Sequence, residues 1–276
     1  MSAPALIMVA PNGARRTKAD HEAIPLTIAE TARVAAECRE AGADAIHAHL
    51  RDRDGAHILD ADGYRELMAA IARQAGPDMV VQITTEAVGR YSPAEQRAVV
   101  DAARPEAVSV ALREMLPDVS EESQAAAFYA RCSERAVAVQ HILYAPGELT
   151  RLADFVARGI VPGREQSILL VLGRYTTDQQ SAPGDLVPFL AAMREAGDAV
   201  GPFMTCAFGR GEIAGLGCSL AFGGHARVGF ENSIEKPDGA PPRDNAESVA
   251  TIAAIAESLG RKRPDRATAL ATLGLR

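Results

Sequence analysis

The sequence has no tryptophan, and Phe, Trp and Tyr together supply only 4% of its 276 residues. Single-stranded nucleic acid is gripped by aromatic platforms set among basic residues. Here the formal net charge is -7 and Lys and Arg are scattered, so a small molecule is the default partner and nucleic acid is not expected. Cysteine is equally scarce. Cys38, Cys132, Cys206 and Cys218 lie too far apart for a CxxC pair or a dense disulfide framework, and they read as reduced, mostly buried thiols. No run approaches the roughly 18 uninterrupted apolar residues of a membrane span. The opening MSAPALIMVAPNG has neither the basic leader nor the long apolar region of a signal peptide, and a cytoplasmic location without a membrane partner is expected.

What is present is an ordinary globular balance, 47% hydrophobic and 24% charged, able to bury a sizeable core. Short β-rich runs alternate with helical stretches along the whole chain, the pattern of a parallel sheet joined by crossover helices. Eight cycles are visible, with strands expected at 6–11, 45–50, 79–85, 107–112, 136–143, 167–173, 203–208 and 226–231. The first helix is marked by Thr27 as N-cap, Glu30 completing a capping box and Gly42 as its stop; similar stops recur at Gly76, Gly159 and Gly260. Eight βα units with no linker or composition shift predict one (β/α)8 barrel over residues 1–276, with a doubly wound sheet as the alternative. The segment after the first strand, PNGARRTKADHE, holds a single glycine and therefore lacks the GxGxxG of a dinucleotide site.

In such a barrel the site is built from the C-terminal strand ends, and the second strand ends in IHAHLRD. Side chains on a strand repeat every two residues, so His47 and His49 project from one face, as a metal pair would. Taken alone, HxH also suits two histidines hydrogen-bonded at a polar barrel end. Glu231, closing the eighth strand, comes from a neighbouring position in a closed barrel and supplies a third ligand. Two imidazoles and a carboxylate leave a coordination position open, as catalytic zinc requires, and iron or another divalent ion also fits. Such an ion would polarise a substrate carbonyl and stabilise an enolate.

Strand parity predicts Arg227 on the same inward face as Glu231, either clamping a substrate carboxylate or simply pairing with the glutamate. Asn232 follows; its amide orients a substrate but cannot act as a base. Polar residues at other strand ends are candidate pocket lining or plain surface: Arg15 and Lys18, Gln82, Thr84, Thr85 and Glu86, Ser109, Gln140 and His141. Arg210, in AFGRGE before a helix, reads as an anion cradle or as a plain turn.

These residues, with AGADAIHAHLRDRDG, QITTEA, RPEAVSVAL, ILLVLG, FGR and GGHARVGFENSI, resemble the β-keto acid cleavage enzymes over nearly the whole chain. The resemblance implies a zinc-dependent, oligomeric (tetrameric) barrel that converts a β-keto acid and acetyl-CoA into acetoacetate and a new acyl-CoA. It implies zinc on His47, His49 and Glu231, the motif arginine at Arg227, and hydroxyl lining from Thr84 and Ser109. CoA is then a co-substrate rather than a bound group. The family's aspartate after the zinc-binding glutamate is replaced by Asn232, so another base is needed, with Glu86 or a metal-bound water as the candidates. Two acidic pocket positions of the amino-keto acid enzymes become Arg15, or a neighbour, and Ile142, which disfavours an ammonium-bearing substrate. A CoA-independent aldolase or decarboxylase, or a silenced barrel that binds metal and a carboxylate, are the alternatives.

Overall fold

A computed structural model describes residues 3–275. In chain order its strands are β1 (Ile7–Val9), β2 (Ala45–Ala48), β3 (Leu50–Arg51), β4 (His57–Ile58), β5 (Val80–Thr84), β6 (Ala107–Ala111), β7 (Ala138–Leu143), β8 (Gln166–Leu172), β9 (Val200–Ala207) and β10 (His225–Val228). Eight of them close a parallel barrel in the order β1-β10-β9-β8-β7-β6-β5-β2, so the doubly wound alternative is excluded. β3 and β4 pair antiparallel as a separate small hairpin that the sequence pattern did not announce.

The strands are apolar on both faces because each face meets a different core. Ile7, Val9, Ile46, Ala48, Val81 and Ile83 turn outward to the helices. Met8, Ala45, Val80, Leu169 and Met204 turn inward and fill the barrel. The helices that cover it include α1 (Ile28–Ala41), where Thr27 and Glu30 form the expected capping box and Gly42 ends the helix in the left-handed region. Among the later ones, α2 (Glu212–Ala221) follows β9, and α3 (Asn245–Ser258) precedes a last short helix, α4 (Arg266–Thr272). α4 belongs to no βα unit; Ala269 and Leu270 on it, with Leu273 just beyond, plug the barrel's N-terminal end. No helix among the described residues is long and apolar enough to cross a membrane.

Most strand bounds shift by one to three residues from expectation, and the two shifts that matter lie at the site. β2 stops at Ala48 rather than 50 because Leu50 and Arg51 leave the barrel to pair with β4. β10 stops at Val228 rather than 231, where Gly229 adopts φ 140° and breaks the strand. A Cβ at Gly229 would lie 2.6 Å from the carbonyl oxygen of Ala10, so only glycine lets the chain turn this close to β1.

Candidate metal centre

His47 sits on the inward face of β2 and His49 one residue past its end, and the two-residue repeat holds across that break. Their Nε2 atoms are 3.2 Å apart. Glu231 Oε2 lies 3.6 Å from the first and 3.5 Å from the second. Tetrahedral zinc with arms of about 2.0–2.1 Å has ligand-to-ligand edges of about 3.3–3.4 Å, so the three atoms already form one face of such a site. Glu231 Oε2 is buried without a close hydrogen-bond partner, an arrangement that a bound cation would satisfy. The donor set therefore fits a divalent ion.

Protonation agrees. Burial depresses His47 to about 3, leaving it the neutral imidazole a metal needs. Burial alone would raise Glu231, but Arg227, then His47 and His49, pull it well below the usual carboxylate range. Which nitrogen of His47 is free follows from a chain of hydrogen bonds through the barrel. The carbonyl of Thr272 can only accept, so Ser167 Oγ donates to it at 2.7 Å and must accept from Gln140 Nε2 at 3.4 Å. Gln140 Oε1 then accepts from Gln82 Nε2 at 3.2 Å, and Gln82 Oε1 is left to accept from His47 Nδ1 at 2.9 Å. The proton is thereby fixed on Nδ1 and the lone pair on Nε2. Gln82 and Gln140 appear in the sequence only as polar strand residues; nothing there shows that they line up across strands.

Glu231 reaches the same point without a strand. Its backbone N–H donates to Ala10 O at 3.0 Å. The residues before it are held by the buried Glu212 carboxylate, which accepts from Gly229 N at 3.1 Å, and by Asn245, which accepts from Phe230 N at 3.0 Å. Arg16 Nη1 donates to Phe230 O at 2.6 Å. Burial raises Glu212 to about 8, against the lowering effect of the Gly229 N–H and Arg16. The loop after β1 lies over Glu231, and a Cβ at Gly13 (φ 58°) would stand 2.6 Å from Glu231 Cγ. That loop is tied down by Arg51 of the IHAHLRD segment, which donates to the carbonyls of Asn12, Gly13 and Arg16.

Arg227 is buried and its Nη2 donates to Glu231 Oε1 at 3.0 Å and to Cys206 Sγ at 3.4 Å. Its Nε and Nη1 have no partner. The ion pair expected as one reading is therefore real, and it still leaves half of the guanidinium open. Burial pushes the Cys206 thiol up to about 11, so it meets Arg227 as a neutral thiol.

The cavity over the triad is lined by Thr84, Glu86, Ala111, Ile142, Tyr144, Val171, Arg174, Phe208 and Arg227. Glu86 stands at its edge, with Oε2 3.9 Å from His49 Nδ1 and Oε1 3.7 Å from Arg15. Arg15 lines the adjoining outer cavity with Arg16 and Arg174. Thr84 reaches the cavity, but its hydroxyl accepts from Glu86 N at 3.0 Å. Ser109 is buried inside the barrel with an unpartnered hydroxyl and does not line the cavity. Asn232 is fully buried, its amide unpartnered, and it too stands outside the cavity wall. Arg210 is a correction: its guanidinium reaches Glu235 at 3.4 Å on the exposed surface, and its backbone N–H is taken by Gln180 Oε1 at 3.0 Å. The GRG segment is a turn rather than an anion cradle. His141 turns outward to the Tyr129 ring, 5.4 Å between centroids. Tyr144 and Arg174, just past β7 and β8, were missed because the sequence gives loop residues no periodicity to betray their direction.

Comparison with known proteins identifies the family. A 3-keto-5-aminohexanoate cleavage enzyme from Fusobacterium nucleatum subsp. nucleatum is 28% identical over 97% of this chain and 97% of its own length. A 3-oxoadipate:acetyl-CoA acetyltransferase from Cupriavidus necator is 26% identical over 100% of this chain and 96% of its own. Among solved structures, the binary complex of ObcA with oxaloacetate superposes with a TM-score of 0.72 at 16% identity, covering 91% of this chain and 67% of that one, a likeness of fold. The beta-keto acid cleavage enzyme family model matches residues 4–275, end to end across the barrel, and the chain belongs to that family.

Proposed function

We propose that this protein transfers acyl groups between a β-keto acid and acetyl-CoA, releasing acetoacetate and a new acyl-CoA, with a divalent cation, zinc by its donor set, on His47, His49 and Glu231. The observation that carries this reading is the convergence of the two Nε2 atoms and Glu231 Oε2 beside an arginine with two buried nitrogens unpartnered. The names of the two relatives support it. A cation bound there supplies Lewis-acid polarisation of the keto acid's oxygens. The chain does the rest. Arg227 offers Nε and Nη1 to a substrate oxygen and, because Glu231 and Cys206 fix its Nη2, offers them without reorganising.

Asn232 is a neutral amide and cannot take the α-proton. Glu86 lines the cavity, lies on the far side of His49 from Glu231, and accepts that proton in this reading. Across the reaction the bond between C2 and C3 of the keto acid breaks, its acyl half goes to the CoA sulfur, and its carboxymethyl half takes the acetyl group. The test is incubation of the metal-loaded protein with a panel of β-keto acids and acetyl-CoA. Acetoacetate should form only when both are present. Turnover without acetyl-CoA would instead mark an aldolase or decarboxylase, and no turnover across the panel would refute the reading.

A further inference from the structure

The metal triad occupies one side of the barrel mouth, on β2 and just after β10, and the cavity's opposite wall comes from β6 to β9. That wall is Ala111, Ile142, Val171 and Phe208, with Tyr144 beside them. It offers a linear substituent almost nothing polar until Arg174 at its rim, which lines both this cavity and the outer one.

The other guanidiniums near the mouth already face partners, and the part of Arg227 left open, its Nε and Nη1, lies at the triad end. Arg227 pairs with Glu231 at 3.0 Å and Arg113 with Glu148 at 2.8 Å. Arg16 donates to the carbonyl of Phe230, and Arg15 faces Glu86 at 3.7 Å. Arg174 has no carboxylate partner among the described residues. Its guanidinium carbon lies 5.3 Å from the Phe208 ring centroid and 5.9 Å from that of Tyr175. Aromatic packing of this kind holds a guanidinium in place while its N–H edge stays free for a planar anion.

We infer that Arg174 is a specificity residue that receives a second carboxylate, so the favoured substrate is a β-keto acid with another carboxylate at the far end of its chain. This rests on the proposed β-keto acid activity, with the keto-acid end at the triad and the substituent along the apolar wall. A charge-assisted contact of this kind is worth about 10–100-fold in selectivity.

The test compares a β-keto diacid with the neutral β-keto acid of equal chain length, in wild type and in Arg174→Gln. The wild type should favour the diacid, and the variant should lower the diacid-to-neutral ratio of kcat/KM about tenfold or more with the KM for acetyl-CoA unmoved. A constant ratio would overturn the inference, and so would a rise confined to the KM for acetyl-CoA, which would assign Arg174 to the CoA phosphates. If neither acid turns over, the proposed activity fails. The inference is then decided by calorimetric titration of the unreactive 3-hydroxy diacid and 3-hydroxy monoacid into the metal-loaded protein. Tighter diacid binding that Arg174→Gln abolishes upholds it; equal binding of the two overturns it.

Discussion

His47 and His49 are carried by a barrel strand and its first residue beyond, whereas Glu231 is carried by a turn three residues past the end of its strand. The histidines inherit their direction from pleat alternation and their tautomer from a line of amides running down the barrel to the Thr272 carbonyl. The glutamate inherits nothing from alternation. It is aimed by Gly229, by Glu212 and Asn245 on neighbouring helices, and by the β1 loop packed over it. One half of the site is thus set by local periodicity and the other by tertiary contacts, and the two halves should fail differently when perturbed.

The largest effect is expected from the ligands themselves. Glu231→Gln should weaken zinc binding by more than about 100-fold, beyond the about 10–100-fold typical of losing an outer partner of a ligand, in a competition titration with a chelator. It also leaves Arg227 buried without its counter-ion, so thermal stability should fall even in the metal-free protein. On the strand half, Gln82→Leu removes the acceptor of His47 Nδ1 and should cost about 10–100-fold in zinc affinity in the same titration. The imidazole then loses its fixed tautomer while the fold persists.

The turn half is probed by Gly13→Ala, compared with Gly76→Ala. Both glycines have positive φ, 58° and 87°, but a Cβ meets Glu231 at Gly13 and nothing within 4 Å at Gly76. Each should lose about 1–3 kcal/mol in denaturant unfolding through backbone strain. Only Gly13→Ala should also weaken zinc binding, since its Cβ displaces the ligand. Equal zinc affinities would show that the loop does not set Glu231.

The last effect is one of pH. Glu212, raised by burial to about 8 from an ordinary 4.5, binds its proton more tightly folded than unfolded. Its contribution to stability is complete below pH 4.5 and is lost as pH rises through about 8. Relative to Glu212→Gln, which cannot ionise, the wild-type melting temperature should therefore decline between pH 5 and pH 8. A constant difference would mean that the carboxyl is already ionised when folded.

The same division explains what could be read in advance. The closed barrel and the pair His47 and His49 follow from period-two alternation and eight repeated units, signals that survive without coordinates. Glu231 was placed by the adjacency of the eighth, first and second strands, and that reason holds; what does not hold is its place on the strand, because β10 ends before it and alternation stops at Gly229. Its arrival beside the histidines owes more to the adjacency of β10, β1 and β2 in the closed barrel than to strand direction. Arg210 failed because a glycine-rich turn at a helix start looks the same whether its amides face a ligand or a neighbouring Gln180. Arg174, Tyr144 and Arg51 act from loops and from a hairpin, where only packing decides direction.

The most direct measurement of the central claim is anomalous diffraction at the zinc edge from crystals of the zinc-loaded protein. The account predicts one peak per chain, within about 2.0–2.2 Å of His47 Nε2, His49 Nε2 and a Glu231 oxygen. A peak elsewhere in the chain with the triad empty, or no peak after loading, would contradict it.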